Sequence, residues 1–291
     1  MAPAEREFRA PTEGGEIVGW IRDAPGKPNA LVLHGGPGLS EYLDTLVAEL
    51  DGLVTTARYQ QRGLAPSVVS GDISIEGHIA DAVAVMDALG WDRPLVIGHS
   101  WGGHFAMHLA VAHPDRVGGL VILDTLGAVG DGGIAEFGPN LMRGLSEGAQ
   151  DRIADLNAQE ENGEPLTEEE RREHLELLWP NYFGDPASAP PMPPLRFGRA
   201  DETWKSIMAN FESHTLEHML PTVTFPTLVI HGGKSPIPVA EAHRIAALMP
   251  NARLVVHEGN GHWPWLEEPG FVRAQLAAWL PRSVVEPSAE A

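Results

Sequence analysis

Gly98-His99-Ser100-Trp101-Gly102 is the segment with the clearest chemical content in this 291-residue chain. The serine sits where an apolar run, Pro94–Gly98, gives way to a helical pattern, Trp101–His113. A tight strand-to-helix turn of this kind holds the hydroxyl out at the top of a sheet, and small flanking residues let the backbone make it. The hydroxyl is a weak nucleophile until a base takes its proton. The chemistry implied is attack on a carbonyl, which also requires N–H donors for the developing oxyanion.

The elements that must position this serine lie on either side. Phe8-Arg9-Ala10 and Glu16–Arg22, around Gly14-Gly15, predict a hairpin. The runs Asn29–His34, Leu53–Arg58, Pro94–Gly98 and Gly119–Asp124 are short and apolar, the pattern of strands buried on both faces. Between them fall helical patterns, Gly77–Leu89 (Ile79, Val83, Met86 and Leu89 on one face) and Trp101–His113. Strands alternating with helices predict a parallel sheet covered on both sides. From Gly127 to about Pro221 the alternation stops. That stretch is helix-rich and acidic, with a capping box at Thr167-Glu168-Glu169-Glu170 opening a helix to about Trp179. The five prolines of Pro186–Pro194 exclude a regular element there. Alternation resumes with Thr227–His231, a helix over Val239–Leu248, the strand Ala252–His257 and a last helix from about Pro269 to Leu280. The polar tail Pro281–Ala291 is expected to be loose. No internal repeat is present. The domain reading is an α/β core over residues 1–126 and 223–291, interrupted by a helical insertion over 127–222.

His262, in Gly259-Asn260-Gly261-His262-Trp263-Pro264, follows the last strand, which is where serine hydrolases built on such an elbow carry their base. His104, His108 and His113 fall on the helix after the serine, where packing explains them. His34 and His231 end strands and are expected to hydrogen-bond the adjoining loops. One oxyanion donor is expected to be the Trp101 backbone N–H, and the other to come from His34-Gly35-Gly36-Pro37-Gly38. Gly36 is the favoured second donor and Gly35 the alternative, with Gly35 and Trp101 both expected against the substrate.

Together, His34-Gly35-Gly36-Pro37-Gly38, Gln61-Arg62-Gly63 and Gly98-His99-Ser100-Trp101-Gly102-Gly103 resemble the proline iminopeptidase branch of the α/β-hydrolases. The resemblance spans about Leu31–Asp124 and again Thr227–Leu280. It implies an α/β-hydrolase fold with a mostly parallel sheet of about eight strands. It also implies that the insertion is a cap over the active site, and that the chain is a serine hydrolase of esters or amides, including N-terminal residues of peptides.

Two departures from that family matter. Gln60-Gln61-Arg62-Gly63 stands where the family has Asp-Gln-Arg-Gly, which reads as a structural change in a loop distant from the chemistry. Ser235, in His231-Gly232-Gly233-Lys234-Ser235-Pro236, stands where the family's triad acid lies. A hydroxyl cannot stabilise an imidazolium as a carboxylate does, and Ser235-Pro236 reads as a helix N-cap followed by proline. Replacing Ser235 is therefore expected to do little. Asp124 ends the strand after the one that carries Ser100, the position used for the acid by relatives such as haloalkane dehalogenases and cofactor-free quinoline dioxygenases. It is the candidate acid, and Asp131, Glu241 and Glu258 are weaker alternatives.

Composition excludes other classes. Lys+Arg 20 against Asp+Glu 40 gives a net charge of −20, which disfavours nucleic acid and anionic membrane surfaces as partners. Hydrophobic residues at 43% suit a globular chain. The absence of cysteine removes disulfides and thiolate chemistry and fits a cytoplasmic setting. The first residues, Met1–Glu7, have no apolar stretch of signal-peptide type, and no run reaches the roughly 20 apolar residues of a membrane span. Neither H-E-x-x-H nor G-x-G-x-x-G in its strand-to-helix context occurs, so no metal or cofactor is implied. The expected partner is a small-molecule or short-peptide substrate. In the cap, Glu168-Glu169-Glu170 reads as a solvated face, Glu212 as a candidate receiver of a substrate amine, and Trp101, Trp179 and Trp204 as candidate pocket walls. Competing readings are a cofactor-free dioxygenase, a non-hydrolytic binding protein and an acyltransferase.

Overall fold

The computed structural model describes residues 5–280. In chain order, β1 (Glu5–Thr12) and β2 (Gly15–Arg22) form the predicted hairpin, followed by β3 (Asn29–Leu33), α1 (Asp44–Glu49), β4 (Thr55–Tyr59) and the two-residue β5 (Val68–Val69). Next come α2 (Ile75–Leu89), β6 (Leu95–His99), α3 (Trp101–Ala112) and β7 (Gly119–Leu123). The sheet order is β1-β2-β4-β3-β6-β7 followed by two later strands, with β5 pairing β2. These last strands are β8 (Thr227–Gly232) and β9 (Ala252–His257). With β5, the sheet has nine strands, one more than the sequence suggests. From β4 through β3 to β9 every pairing is parallel. Every residue of β4, β6, β7 and β8 is buried, which is why β6, β7 and β8 read as nearly continuous apolar runs instead of alternating, whereas in β4 the buried Arg58 is paired with Glu5 and Glu41.

Two apolar layers cover the sheet. One side packs α2 and α3 through Val85, Met86, Phe105 and Leu109. The other packs α1 and a C-terminal helix through Leu46, Leu50, Leu276 and Trp279.

The chain between β7 and β8 is helical, as expected of the insertion. It carries α4 (Ile134–Met142), α5 (Glu147–Glu161), α6 (Glu168–Leu178), α7 (Asp201–Glu212) and α8 (Thr215–Met219). Thr167 and Glu170 form the predicted capping box, and Pro186–Pro194 contributes only a 3-10 turn at Pro186–Ser188. Three of its helices close a small apolar cluster through Leu141, Ile153 and Leu178. After β8, α9 (Val239–Leu248) precedes β9, and α10 (Pro264–Glu267) and α11 (Phe271–Trp279) follow it. The expectation for the tail 281–291 lies outside the described residues.

The register positions the site. His99 pairs with Leu123, and Leu123 with Ile230, so β6 and β7 end level with Ile230 of β8, which runs on to Gly232. The residues that follow these pairs, Ser100, Asp124 and His231, therefore share one edge of the sheet.

Five buried histidines give the fold a pH dependence. Burial pushes the His34 and His104 imidazoles down to about 4 and that of His78 to about 3. It holds His99 and His108 well below the ordinary range. The unfolded chain takes up these protons below about pH 6.5, whereas the folded chain resists them. Each histidine therefore contributes stability that is fully present above that pH and is lost, at up to about 1.4 kcal/mol per pH unit, as pH falls toward its folded value. The denaturant midpoint should drop steeply between pH 7 and 4.5, and His78→Gln should flatten the slope by about one proton. A midpoint constant over that range would contradict this account.

Candidate active site

Strand β6 ends at His99 and α3 begins at Trp101, so Ser100 alone makes the turn. It does so at φ 56° and ψ −128°, a left-handed conformation that costs a non-glycine residue on the order of 1–3 kcal/mol. Hydrogen bonds on both sides hold it there. The Ser100 N–H donates to the Leu123 carbonyl (3.0 Å), and the Ser100 carbonyl accepts from Thr125 Oγ1 (2.7 Å) and the Gly103 N–H (2.9 Å). A Cβ on Gly98 would lie 2.1 Å from the Gly102 carbonyl oxygen, and one on Gly102 would lie 2.1 Å from that of Leu33. The glycines of the motif thus serve the close approach of strand to helix.

Asp124 follows β7 and is fully buried, with its backbone at φ 41°. Oδ1 accepts from His262 Nδ1 (2.6 Å) and from Ser235 Oγ (2.5 Å). Oδ2 accepts from the Gly232 N–H (2.8 Å), with His231 Nδ1 at 3.5 Å. Burial alone would raise the Asp124 pKa. The attraction of His231, the hydrogen bond and charge of His262, and the Ser235 hydroxyl outweigh it and hold the carboxyl at about 2. Sequence reasoning paired Asp124 with His262 correctly in space but misread Ser235. Helix α9 starts at Val239 with Pro238 at its N-cap, so Ser235 caps no helix. Its hydroxyl instead accepts from the Ile237 N–H (3.1 Å) while donating to Asp124. Asp131 spends its carboxylate on the Gly133 and Ala135 amides, Glu241 pairs with Arg244, and Glu258 is exposed.

His262 sits 2% exposed in the loop after β9. Its N–H donates to the Tyr182 carbonyl (2.7 Å) and its ring lies 5.3 Å from that of Tyr182. With Nδ1 engaged by Asp124, Nε2 is the nitrogen left for proton transfer. Among the described residues Ser100 Oγ makes no hydrogen bond to it; contacts of this kind often tighten only when substrate binds.

In the loop after β3, the Gly35 N–H donates to Tyr42 Oη (2.8 Å). A Cβ on Gly35 would lie 2.4 Å from that oxygen and 2.5 Å from the Ser100 Cβ, so this loop is pressed against the serine. His34 Nδ1 meets the Gly35 carbonyl and His231 Nε2 the Ile237 carbonyl, the loop bonds expected of these strand-end histidines. Gln61 is not distant from the site. Its Nε2 donates to the His34 carbonyl (2.8 Å), and its Oε1 accepts from Trp101 Nε1 (3.0 Å). Because β4 lies beside β3, this residue clamps the glycine loop to the residue after the serine. The Trp101 indole is buried against Phe105 and His78, and its backbone N–H lies at the first turn of α3. Tyr42 and Tyr182 were missed because neither belongs to a spacing motif, and Gln61, though part of the Gln61-Arg62-Gly63 motif, was read as distant; only topology brings them in.

Residues between β7 and β8 supply the remaining candidates. Trp179 packs against Phe183 and Trp263, with its Nε1 donating to the Pro190 carbonyl. Trp204 is partly exposed in a cavity of about 760 Å³ that includes Pro37 and Gly38 of the glycine loop. Glu212, Glu168 and Glu169 are exposed, and Glu170 closes the capping box. A recess of about 590 Å³ lies among Phe137, Leu141, Met142, Ile153, Leu178 and Tyr182. Among the described residues no three His, Cys, Asp or Glu side chains converge as a metal site, and no helix is long and apolar enough to cross a membrane.

The profile of the alpha/beta hydrolase fold family matches residues 30–269. The chain is 31% identical over 189 residues to a serine hydrolase-like protein of Danio rerio, covering 64% of this chain and 56% of that protein, little more than half its length. It is 30% identical over 279 residues to a 2-hydroxy-6-oxononadienedioate/2-hydroxy-6-oxononatrienedioate hydrolase of Dechloromonas aromatica, covering 86% of each. Among solved structures it is similar to VinJ (TM-score 0.72, 21% identity, covering 96% of this chain and 99% of that one) and to a proline iminopeptidase of Mycobacterium smegmatis (TM-score 0.66, 21% identity, 95% and 98%). At these identities the two structures speak to the fold alone.

The hydrogen bonds at Asp124 give a test. Ser235→Ala removes a donor from a buried carboxylate and should cost about 1–3 kcal/mol in denaturant unfolding while raising the Asp124 pKa. Unchanged stability and an unchanged carboxyl titration by NMR would show that the hydroxyl does not support the acid.

Proposed function

The chain belongs to the alpha/beta hydrolase fold family, and on that premise we propose that it is a serine hydrolase cleaving an ester or amide of a small substrate through an acyl-enzyme on Ser100. The observation that carries this reading is the 2.6 Å contact between His262 Nδ1 and Asp124 Oδ1 at the edge where the strained Ser100 turn emerges. Asp124 fixes the tautomer that leaves Nε2 free, and Nε2 takes the Ser100 proton as Oγ attacks the carbonyl carbon. The ring becomes an imidazolium that the ionised Asp124 stabilises. The oxyanion rests on the Trp101 N–H and the Gly36 N–H, the Gly35 amide being spent on Tyr42. Collapse of the tetrahedral species breaks the bond to the leaving group, which receives the proton from His262. Water, deprotonated by His262, then attacks the acyl-enzyme, and Ser100 recovers its proton. No cofactor enters any step.

The insertion over residues 127–222 acts as the cap. Its recess of about 590 Å³ is mainly apolar and is shared by Tyr182, whose ring lies against His262, which supports an apolar group on the acyl or leaving side of the substrate. The similarity to the Dechloromonas aromatica enzyme makes 2-hydroxy-6-oxo-dienoic acids a second substrate class to test.

A panel of aryl esters of increasing chain length, aminoacyl anilides and a 2-hydroxy-6-oxo-dienoate, run on the wild type, is expected to give turnover on at least one ester or amide. A fluorophosphonate should label Ser100. Ser100→Ala should lower kcat by roughly a millionfold, and Asp124→Asn by roughly 10⁴ through loss of the correct tautomer. Full turnover by either variant would overturn the assignment of that residue.

A further inference from the structure

Two buried side chains that the proposed mechanism does not use connect its two moving parts. Tyr42 Oη lies 2.8 Å from the Gly35 amide nitrogen and 2.8 Å from His99 Nδ1, and His99 Nε2 lies 2.9 Å from the His262 carbonyl oxygen. Only one arrangement of protons satisfies all three contacts. A carbonyl oxygen can only accept, so His99 Nε2 carries a hydrogen and donates to His262. The neutral ring then offers Nδ1 as an acceptor, so Tyr42 donates to it and accepts from Gly35 with its remaining lone pair. The ring contacts add to this: His99 lies 4.6 Å from the His262 ring, and Tyr42 packs 4.9 Å from that of Trp263, the residue after the base.

We propose that Tyr42 and His99 form a strap of positioning residues that sets the oxyanion loop and the base loop at a fixed distance from each other, on either side of Ser100. The idea rests on the serine-hydrolase reading above. One end of the strap holds Gly35 and turns its amide away from the substrate, which leaves Gly36 to face the oxyanion. The other end anchors the backbone of His262 while Asp124 holds its ring. Burial keeps His99 uncharged and Tyr42 protonated, so the strap keeps one proton arrangement through the working pH range. Loosening it would leave the groups present but misplaced, and a misplacement of about 1 Å can cost roughly 100-fold in rate.

The test uses the full-length chain and its best ester. Tyr42→Phe keeps the ring and removes Oη. His99→Gln keeps a donor toward the His262 carbonyl, whereas His99→Leu keeps none. Tyr42→Phe and His99→Leu should each lower kcat by roughly 10- to 100-fold with KM within about threefold. His99→Gln should recover about tenfold over His99→Leu, and the Tyr42→Phe/His99→Leu double variant should fall within about threefold of the worse single, because one path is broken only once. Wild-type kcat in Tyr42→Phe, equal activity in His99→Gln and His99→Leu, or additive losses in the double variant would overturn the strap. If Tyr42→Phe does not fold, the comparison of His99→Gln with His99→Leu decides; if either His99 variant does not fold, the kcat of Tyr42→Phe decides. Failure of the underlying reading shows separately, as wild-type Ser100 that a fluorophosphonate leaves unlabelled.

Discussion

A carboxylate sealed from water is tolerated only where donors replace its hydration, and Asp124 is the place where this molecule meets that demand. Three hydrogen bonds reach its two oxygens from His262, Ser235 and Gly232, and His231 stands behind them. Because those donors come from β8, the loop after it and the loop after β9, the carboxylate fastens the C-terminal third of the sheet to its middle. The same requirement orients His262: satisfying the acid fixes the face and tautomer of the imidazole. Structural and chemical demands therefore coincide at this residue, and it cannot be neutralised without disturbing both.

The parallel sheet supplies the geometry that the carboxylate exploits. The register of three neighbouring strands places a serine, an acid and a histidine side by side, and the positive φ at Ser100 and Asp124 turns each backbone out of its strand at the same height. The hydrogen bond from Ser100 to Leu123 joins the two turns directly, so neither can relax without the other. Strain at the serine is thus maintained by the ladder beside it.

Most of this was legible because its causes are local. The buried strands show as uninterrupted apolar runs, the elbow as glycines around Ser100, and the capping box as Thr167 and Glu170. Asp124 could be singled out because the loop after β8 lacks a carboxylate where one was expected. What escaped depends on residues distant in sequence meeting across the sheet. Ser235 looked like a cap because a serine before a proline usually is one; that it faces Asp124 follows from the pairing of β7 with β8. Gln61 looked remote because its strand precedes the elbow by some forty residues, yet sheet order sets β4 beside β3. Tyr42 carries no pattern at all, and its partners, Gly35 and His99, lie on a loop after β3 and at the end of β6. Short-range chemistry can be read from spacing, whereas such pairings exist only after the chain has closed on itself.

The inserted helices between β7 and β8 are stitched to the sheet at a few points. Gly198 donates to the Gly38 carbonyl, Ser40 to that of Arg196, and His262 to that of Tyr182. These three stitches fall on the two loops that flank the serine, while others tie α7 to Ile73 and Ile75 at the start of α2 and Asn140 of α4 to the Pro236 carbonyl. Residues on the exposed faces of α5 and α6 make none of these bonds. On the proposed reading, a lineage of such proteins is free to remodel the cap while the edge that carries Ser100 stays in place, and divergence in what is accepted should concentrate in that unstitched cloth.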